Sequence, residues 1–398
     1  MKELTYSRER TLATVTLILG IIAWLILIIG TFGTALFALA IGYIVYLFAQ
    51  SALIAHIKGT AVELSAEQYP DLYAQFSDCC ERLQMNGRPQ AYILNGNGGL
   101  NAFATKFLGK QYVFLMSDIV DAMNVHTDGV RFYIGHELGH LKRKHLGIGH
   151  LIRWPVLWLP LVGAAYSRTR ESTCDRHGLA CSSSGEGAAQ ALAALASGSV
   201  RWKSLDVQAY VNQSLESSGF WMSFHELIGG YPWLVKRAAR VLNPDSKLPR
   251  RNGAAYLLAL FVPYAGRLGA GLGLLTMVYI VGVLAAVAVP EYQTYVIKAK
   301  LTLAVTESEP ARQALASYYE TNHKIPGSLE QVAINPQIVD GGHLSVDAST
   351  MILTVSTKQG ELLFIPKTDQ QEHVYWTCSN GRELLPVHLP ENCRKMGN

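Results

Sequence analysis

The stretch DGVRFYIGHELGHLKRKH, Asp128 to His145, decides how the rest of the chain is read. Phe132, Ile134, Leu138 and Leu141 recur at helical spacing, so a helix is expected here. His136 and His140 stand four positions apart and share one face of that helix. Glu137 lies beside them. Two imidazoles and an adjacent carboxylate are parts that hold one zinc ion and take a proton from its bound water. The expected role of Glu137 is general base, and later proton donor to the leaving amine.

Two histidines do not complete a catalytic zinc site, which needs a third protein ligand and an open position. His145 and His150 follow closely, but not in the HExxHxxGxxH spacing. The better candidate is Glu171 in SRTRESTCDRHG. A helix there puts Asp175 one turn beyond Glu171, placed to orient a histidine ligand or pair with an arginine. Cys174 and Cys181 fit no common zinc spacing.

The rest of the composition points to a membrane. Apolar residues make up 49% of the 398 residues and charged ones only 16%, which is low for a soluble chain. The net charge of +4 is mild, and no basic stripe with interleaved aromatics argues for nucleic acid. No Asp, Glu, Lys or Arg occurs between Arg10 and Lys58. Gly30-Thr31-Phe32-Gly33 breaks that run, predicting two spans over 11–29 and 34–53 rather than a cleaved signal peptide. A third apolar tract, Ala254 to Val289, is divided by Pro263-Tyr264-Ala265-Gly266-Arg267. Its second part, about 268–289, has the length of one span; Ala254–Val262 is expected at the interface or packed on the bundle.

Lys2, Arg8 and Arg10 precede the first span, and Arg250 and Arg251 the third. The positive-inside bias then puts residues 55 to 253 in the cytoplasm and everything after Pro290 outside. Cys79, Cys80, Cys174 and Cys181 fall on the reducing side, and Cys378 and Cys393 where a disulfide is permitted. The glycine-rich NGNGGLN, Asn95 to Asn101, lacks the register of a phosphate loop and is expected as a turn into a strand.

HELGH followed by the E-x-x-x-D of Glu171 and Asp175 resembles the HtpX-type membrane zinc metallopeptidases, relatives of the CAAX prenyl endopeptidases. The resemblance runs from about 59 to 242. LNAFAT, Leu100 to Thr105, resembles that family's edge-strand segment, which implies that the backbone of Asn101 and Ala102 pairs with an extended substrate. YPWLVKRAARVL, Tyr231 to Leu242, resembles a later family segment and implies that Arg237 or Arg240 buttresses Asp175. Where the family often has an oxyanion-stabilising histidine this chain has Tyr231, whose hydroxyl is expected to replace it; His225 is a second candidate.

Beyond Pro290 a polar helix is expected to continue the third span. MILTVSTKQGELLFIPK then alternates and turns at Gln359-Gly360, and HVYWTCS adds a strand. GVLAAVAVPEYQTYV, IPGSLEQV and YWTC…LPENC together resemble type IV pilins and pseudopilins over about 268–398. The resemblance implies a disulfide closing the end at Cys378 and Cys393. Counting back from Pro290, the prepilin cleavage glycine and the mature-helix glutamate are replaced by Leu268 and Gly273, so no prepilin processing is expected.

The expected chain is a multidomain membrane protein. It has an N-tail (1–10), a transmembrane hairpin (11–54), a mainly α (α+β) zincin domain with a small edge-stranded sheet (55–253), an apolar segment with the third span (254–290), and an α+β pilin-like roll (291–398). The expected function is a bacterial inner-membrane endopeptidase with one Zn2+ per chain, acting on membrane or misfolded polypeptides. The expected partners are polypeptide substrate, the lipid bilayer and pilus or secretion-system components, with no nucleic acid. A pilus-assembly scaffold with a non-catalytic peptidase-like domain is the second reading.

Overall fold

The computed structural model describes residues 3–123, 127–266 and 269–396. Lys2 and Leu268, which entered the expectations on orientation and processing, lie outside the described residues, as does Arg267. The chain separates into two compact units, Met1–Tyr279 and Ile280–Asn398.

The first unit opens with a helical hairpin, α1 (Ser7–Gly30) and α2 (Thr34–Thr60). The turn between them needs positive φ at Phe32 and Gly33. Both helices are long and apolar enough to cross a membrane. Ile26, Ile29, Phe37 and Phe48 are among many large apolar side chains left exposed on them, as expected where lipid is the solvent.

A small mixed sheet follows: β1 (Val62–Glu63), β2 (Gln90–Leu94), β3 (Ala102–Phe107) and β4 (Lys110–Met116), in the order β1-β2-β4-β3. Helix α3 (Pro70–Arg82) precedes β2, and α4 (Ser117–Ala122) follows β4. The NGNGGLN stretch is the loop into β3, with Asn97 and Gly98 at positive φ. β3 pairs antiparallel with β4 alone and is an open edge.

Helices complete the unit: α5 (Thr127–Lys142), α6 (Ile148–Leu157), α7 (Val162–Cys181), α8 (Gly185–Ser197), α9 (Val207–Asn212), α10 (Phe220–Ile228), α11 (Leu234–Leu242) and α12 (Gly253–Ala259). Phe76, Leu115, Ile119, Phe132, Ile134, Leu138 and Leu192 centre the core under the sheet. The segment around Trp154 is α6, which packs along α1. The Arg153 guanidinium donates to the Ala13 carbonyl at 3.0 and 3.1 Å, and Trp24 stacks on Trp154. Ala255, Ala259 and Val262 pack on Phe224, Leu227 and Ile228, so α12 is seated on α10.

The third long helix, α13 (Gly269–Glu307), begins in the first unit and continues into the second. It does not end with its apolar tract but carries on through Pro290. The polar helix expected beyond Pro290 is present; apolar helix runs from Gly271, and α14 (Glu309–Asn322) follows Ser308.

In the second unit, Leu301, Ala304, Val305, Ala311 and Leu315 of these helices bury against an antiparallel sheet. Its strands are β5 (Gln337–Ile338), β6 (Gly342–Val346), β7 (Leu353–Thr357), β8 (Gly360–Thr368) and β9 (Val374–Asn380), paired in chain order. Leu344, Leu353, Val355, Leu362 and Phe364 alternate onto the helical side. The β7–β8 turn is Lys358-Gln359, one residue earlier than expected, because Gly360 already pairs with Thr357. A final helix, α15 (Glu391–Met396), is tied to β9 by a disulfide between Cys378 and Cys393. The other four cysteines are free and buried.

Candidate metal centre

Three glycines bring α5 and α7 together. A Cβ on Gly135 would lie 2.7 Å from Cys181 Sγ and 2.8 Å from the His177 carbonyl oxygen. One on Gly139 would lie 3.1 Å from His177 Cβ, and one on Gly178 2.7 Å from the Phe132 carbonyl oxygen. The glycine within HELGH is thus a packing requirement: bare backbone lets α7 approach the histidine face.

That approach buries Glu171 between the two imidazoles. Its carboxylate oxygens lie 3.3 Å from His136 Nε2 and 3.7 Å from His140 Nε2. Asp175, one turn on, accepts from His136 Nδ1 at 3.0 Å. Arg237 of α11 grips Asp175 with both arms, Nε to Oδ2 at 2.9 Å and Nη2 to Oδ1 at 2.7 Å. Glu137 is buried on α5 beside His136. Arg240 points elsewhere: it is exposed, over the Tyr6 ring.

The electrostatics are those of a tightly held charge cluster. Burial alone would lower the His136 pKa, but Asp175 and Glu171 outweigh it and raise it to about 10. Burial would raise Glu171, yet His136, His140 and Arg237 hold its carboxyl well below the usual range. His140 is driven the other way, well below an ordinary imidazole, by burial first and by the neighbouring cations.

His140 has its own partner, which the sequence reading passed over. Its Nδ1 lies 3.0 Å from Nδ1 of His145, and His145 Nε2 lies 3.0 Å from Oε1 of Glu9 on α1. Burial pushes the His145 pKa down to about 4, against the pull of Glu9. The available signal is weak: His145 does not fit the HExxHxxGxxH spacing, and nothing in the sequence links it to Glu9 before the first span.

A second donor set also gathers here. His136, His140 and Cys174 offer ligand atoms within 4.8 Å of one another. Cys174 Sγ, however, lies 3.8 Å from His145 Nδ1, on the side of His140 already engaged by His145. Burial keeps its thiol far above the ordinary range. Glu171 faces both Nε2 atoms and is already anionic, so it fits a cation better than the thiol does.

The remaining expected residues are dispersed around this centre. Tyr231 is half exposed in the loop between α10 and α11, within electrostatic reach of Arg237. Arg168 caps the end of α10, donating to the carbonyls of Glu226, Leu227 and Gly229 at 2.6–2.9 Å, where that loop begins. His225 is on the exposed face of α10 against the Trp221 and Phe224 rings. The edge β3 packs beside α5. Met116 N–H donates to the Asn101 carbonyl at 3.1 Å, so that carbonyl is spent inside the sheet. Alternation then turns the backbone of Ala102 and Ala104 outward, with the Ala102 N–H donating to Asn101 Oδ1 at 2.9 Å.

Comparison with known proteins divides the chain the same way. Residues 66–163 match the profile of peptidase family M48, a stretch that includes His136, Glu137 and His140 and ends before Glu171. The match implies a metallopeptidase. Another region is similar to bacterial pilus subunits. A fimbrial protein of Neisseria meningitidis serogroup B is 26% identical over 152 residues, covering 30% of this chain and 89% of the relative. A type IV major pilin protein of Neisseria gonorrhoeae is 26% identical over 147 residues, with the same coverage. The fimbrial protein EcpC of Eikenella corrodens is 26% identical over 133 residues, covering 30% of this chain and 86% of its own. The chain thus joins an M48-type, HtpX-like peptidase segment to a type IV pilin-like segment, with three helices long and apolar enough to cross a membrane.

Proposed function

We propose that the chain is a membrane-embedded zinc endopeptidase whose metal is held by His136, His140 and Glu171. The carrying observation is the Glu171 carboxylate, 3.3 and 3.7 Å from the two Nε2 atoms in a buried site. Two neutral imidazole nitrogens and one carboxylate are a donor set that zinc takes. A zinc ion held by these three side chains would supply a water of lowered pKa and a Lewis-acid contact for the scissile carbonyl. Glu137, buried beside His136, would accept a proton on its carboxylate as general base and return it to the leaving amine. Asp175, fixed by Arg237, accepts from His136 Nδ1 and so turns the His136 Nε2 lone pair toward Glu171. Tyr231 donates to the oxyanion that forms on the former carbonyl oxygen.

The substrate in this reading is an extended polypeptide laid along β3, its backbone pairing with Ala102 and Ala104. A membrane or misfolded protein supplies such a segment. The peptidase domain spans 55–253 and faces the cytoplasm of a bacterial inner membrane, with the pilin-like domain, 291–398, outside as a docking or sensing module. Arg8 and Arg10 support that orientation. Arg251 supports it less, since its guanidinium is paired with Glu226 at 2.8 Å. The pilin similarity favours a second reading, a pilus or secretion-system scaffold with an idle peptidase segment. Metal content and cleavage of Glu171→Gln and Cys174→Ala test the donor set together. The proposal expects Glu171→Gln to lose both zinc and cleavage, and Cys174→Ala to keep both. The opposite pattern would place the thiol on the metal and overturn this assignment.

A further inference from the structure

We propose that Glu9 and His145 are positioning residues for His140, and that the first apolar helix thereby reaches into the catalytic centre. The inference rests on the zinc reading above.

The argument begins with the hydrogen-bond inventory. A carboxylate only accepts, so His145 Nε2, 3.0 Å from Glu9 Oε1, carries the proton and donates. A neutral imidazole has one N–H, which leaves His145 Nδ1 as an acceptor. The atom facing it at 3.0 Å is His140 Nδ1. Two nitrogens at that distance need one proton between them, so His140 Nδ1 is the donor. The His140 Nε2 lone pair is then bare on the side of Glu171, as metal ligation requires. One buried carboxylate, acting through one imidazole, fixes both the tautomer and the tilt of His140.

This mirrors the arrangement at His136. There Asp175 accepts from Nδ1 directly and Arg237 anchors Asp175. At His140 the carboxylate stands one ring further away, and Arg143 lies 3.5 Å from Glu9 to offset its charge. The two orienting carboxylates come from different parts of the chain: Asp175 from α7, Glu9 from α1. Glu9, on α1, is 1% exposed, and His145, in the turn between α5 and α6, is 4% exposed. An ionisable side chain at the end of an apolar membrane helix is costly unless it is used. The neighbouring backbone locks the register of α1, as Tyr6 N–H donates to Thr173 Oγ1 at 3.0 Å.

The test uses the full-length chain in detergent. Zinc affinity is read by chelator competition, and the Co2+-substituted protein by its visible absorption, for wild type, Glu9→Gln, His145→Gln and the double variant. Glu137→Gln serves as the reference for lost turnover with an intact metal site. The proposal expects Glu9→Gln and His145→Gln each to weaken zinc about 10- to 100-fold and to shift the Co2+ spectrum. It expects the double variant to be no worse than His145→Gln alone, because both act through one ring. A merely structural role would lower the melting temperature of the metal-free chain while leaving affinity and spectrum within twofold of wild type; that result, or additive losses in the double variant, overturns the proposal. Should His145→Gln not fold, Glu9→Gln, which keeps the shape of the side chain, decides by the same two readings. A wild-type chain that binds no zinc overturns the underlying reading as well, whereas wild-type binding with unchanged variants overturns this inference alone.

Discussion

Asp175 shows how a single side chain serves both stability and chemistry. It accepts from His136 and is clasped by Arg237, all three nearly closed to solvent. Breaking a buried pair costs more than the pair contributes, because the partner is left charged and unsolvated. Arg237→Ala is therefore expected to lose about 3–5 kcal/mol of unfolding free energy, read from denaturant midpoints, and to weaken zinc binding. Glu226 gives a second residue-scale prediction. Burial would raise its pKa, but Arg251 and Lys236 outweigh burial and lower it. A carboxyl depressed in the folded state adds stability above its unfolded pKa, and that stability is lost as pH falls through the folded value. Wild type is expected to exceed Glu226→Gln in melting temperature at neutral pH, with the gap closing below about pH 4. A gap independent of pH would show that the carboxylate charge is not what holds Lys236 and Arg251.

At the scale of elements, the helix carrying HELGH was legible because its apolar positions keep helical spacing over several turns. Glu171 was legible only as a carboxylate at a plausible distance along the chain. What brings it to the histidines is the glycine contact of α5 with α7, and no local pattern announces which glycines will face one another. Gly178→Ala is expected to force its methyl group against the Phe132 carbonyl oxygen, a backbone atom 2.7 Å away. Separation of the two helices should cost about 1–3 kcal/mol and weaken zinc in parallel, seen in thermal unfolding with and without metal. Unchanged stability would mean that the helices are not held together there. Glu9 and His145 stayed hidden for a related reason: they lie 136 positions apart, and only the approach of α1 to the turn between α5 and α6 makes them neighbours. The open positions of β3 depended on hydrogen-bond register, which alternation in sequence leaves undetermined by one residue.

For the whole molecule, the three apolar runs were readable from the absence of charge, and so was the polar helix that continues the third past Pro290. Helix α13 continues because Glu291 to Glu307 is as helical as the apolar part, so composition changes where secondary structure does not. The two units differ in their cysteines: the four thiols of the first are buried, and the two of the second form a disulfide. An external second unit predicts that Cys378 and Cys393 react with a membrane-impermeant maleimide in intact cells only after a reductant. Labelling only after the cells are lysed would place that unit inside and contradict the proposed orientation.

The central claim is that the buried cluster on α5 and α7 is a working zinc site. Its most direct measurement is zinc content together with cleavage of an unfolded polypeptide, reduced and alkylated casein, by the full-length wild type and Glu137→Gln. The account predicts one zinc per chain in both proteins, and a loss of about 10²–10⁴ in turnover in Glu137→Gln alone. Zinc in both proteins with no cleavage that depends on Glu137 would contradict it and leave the scaffold reading in its place.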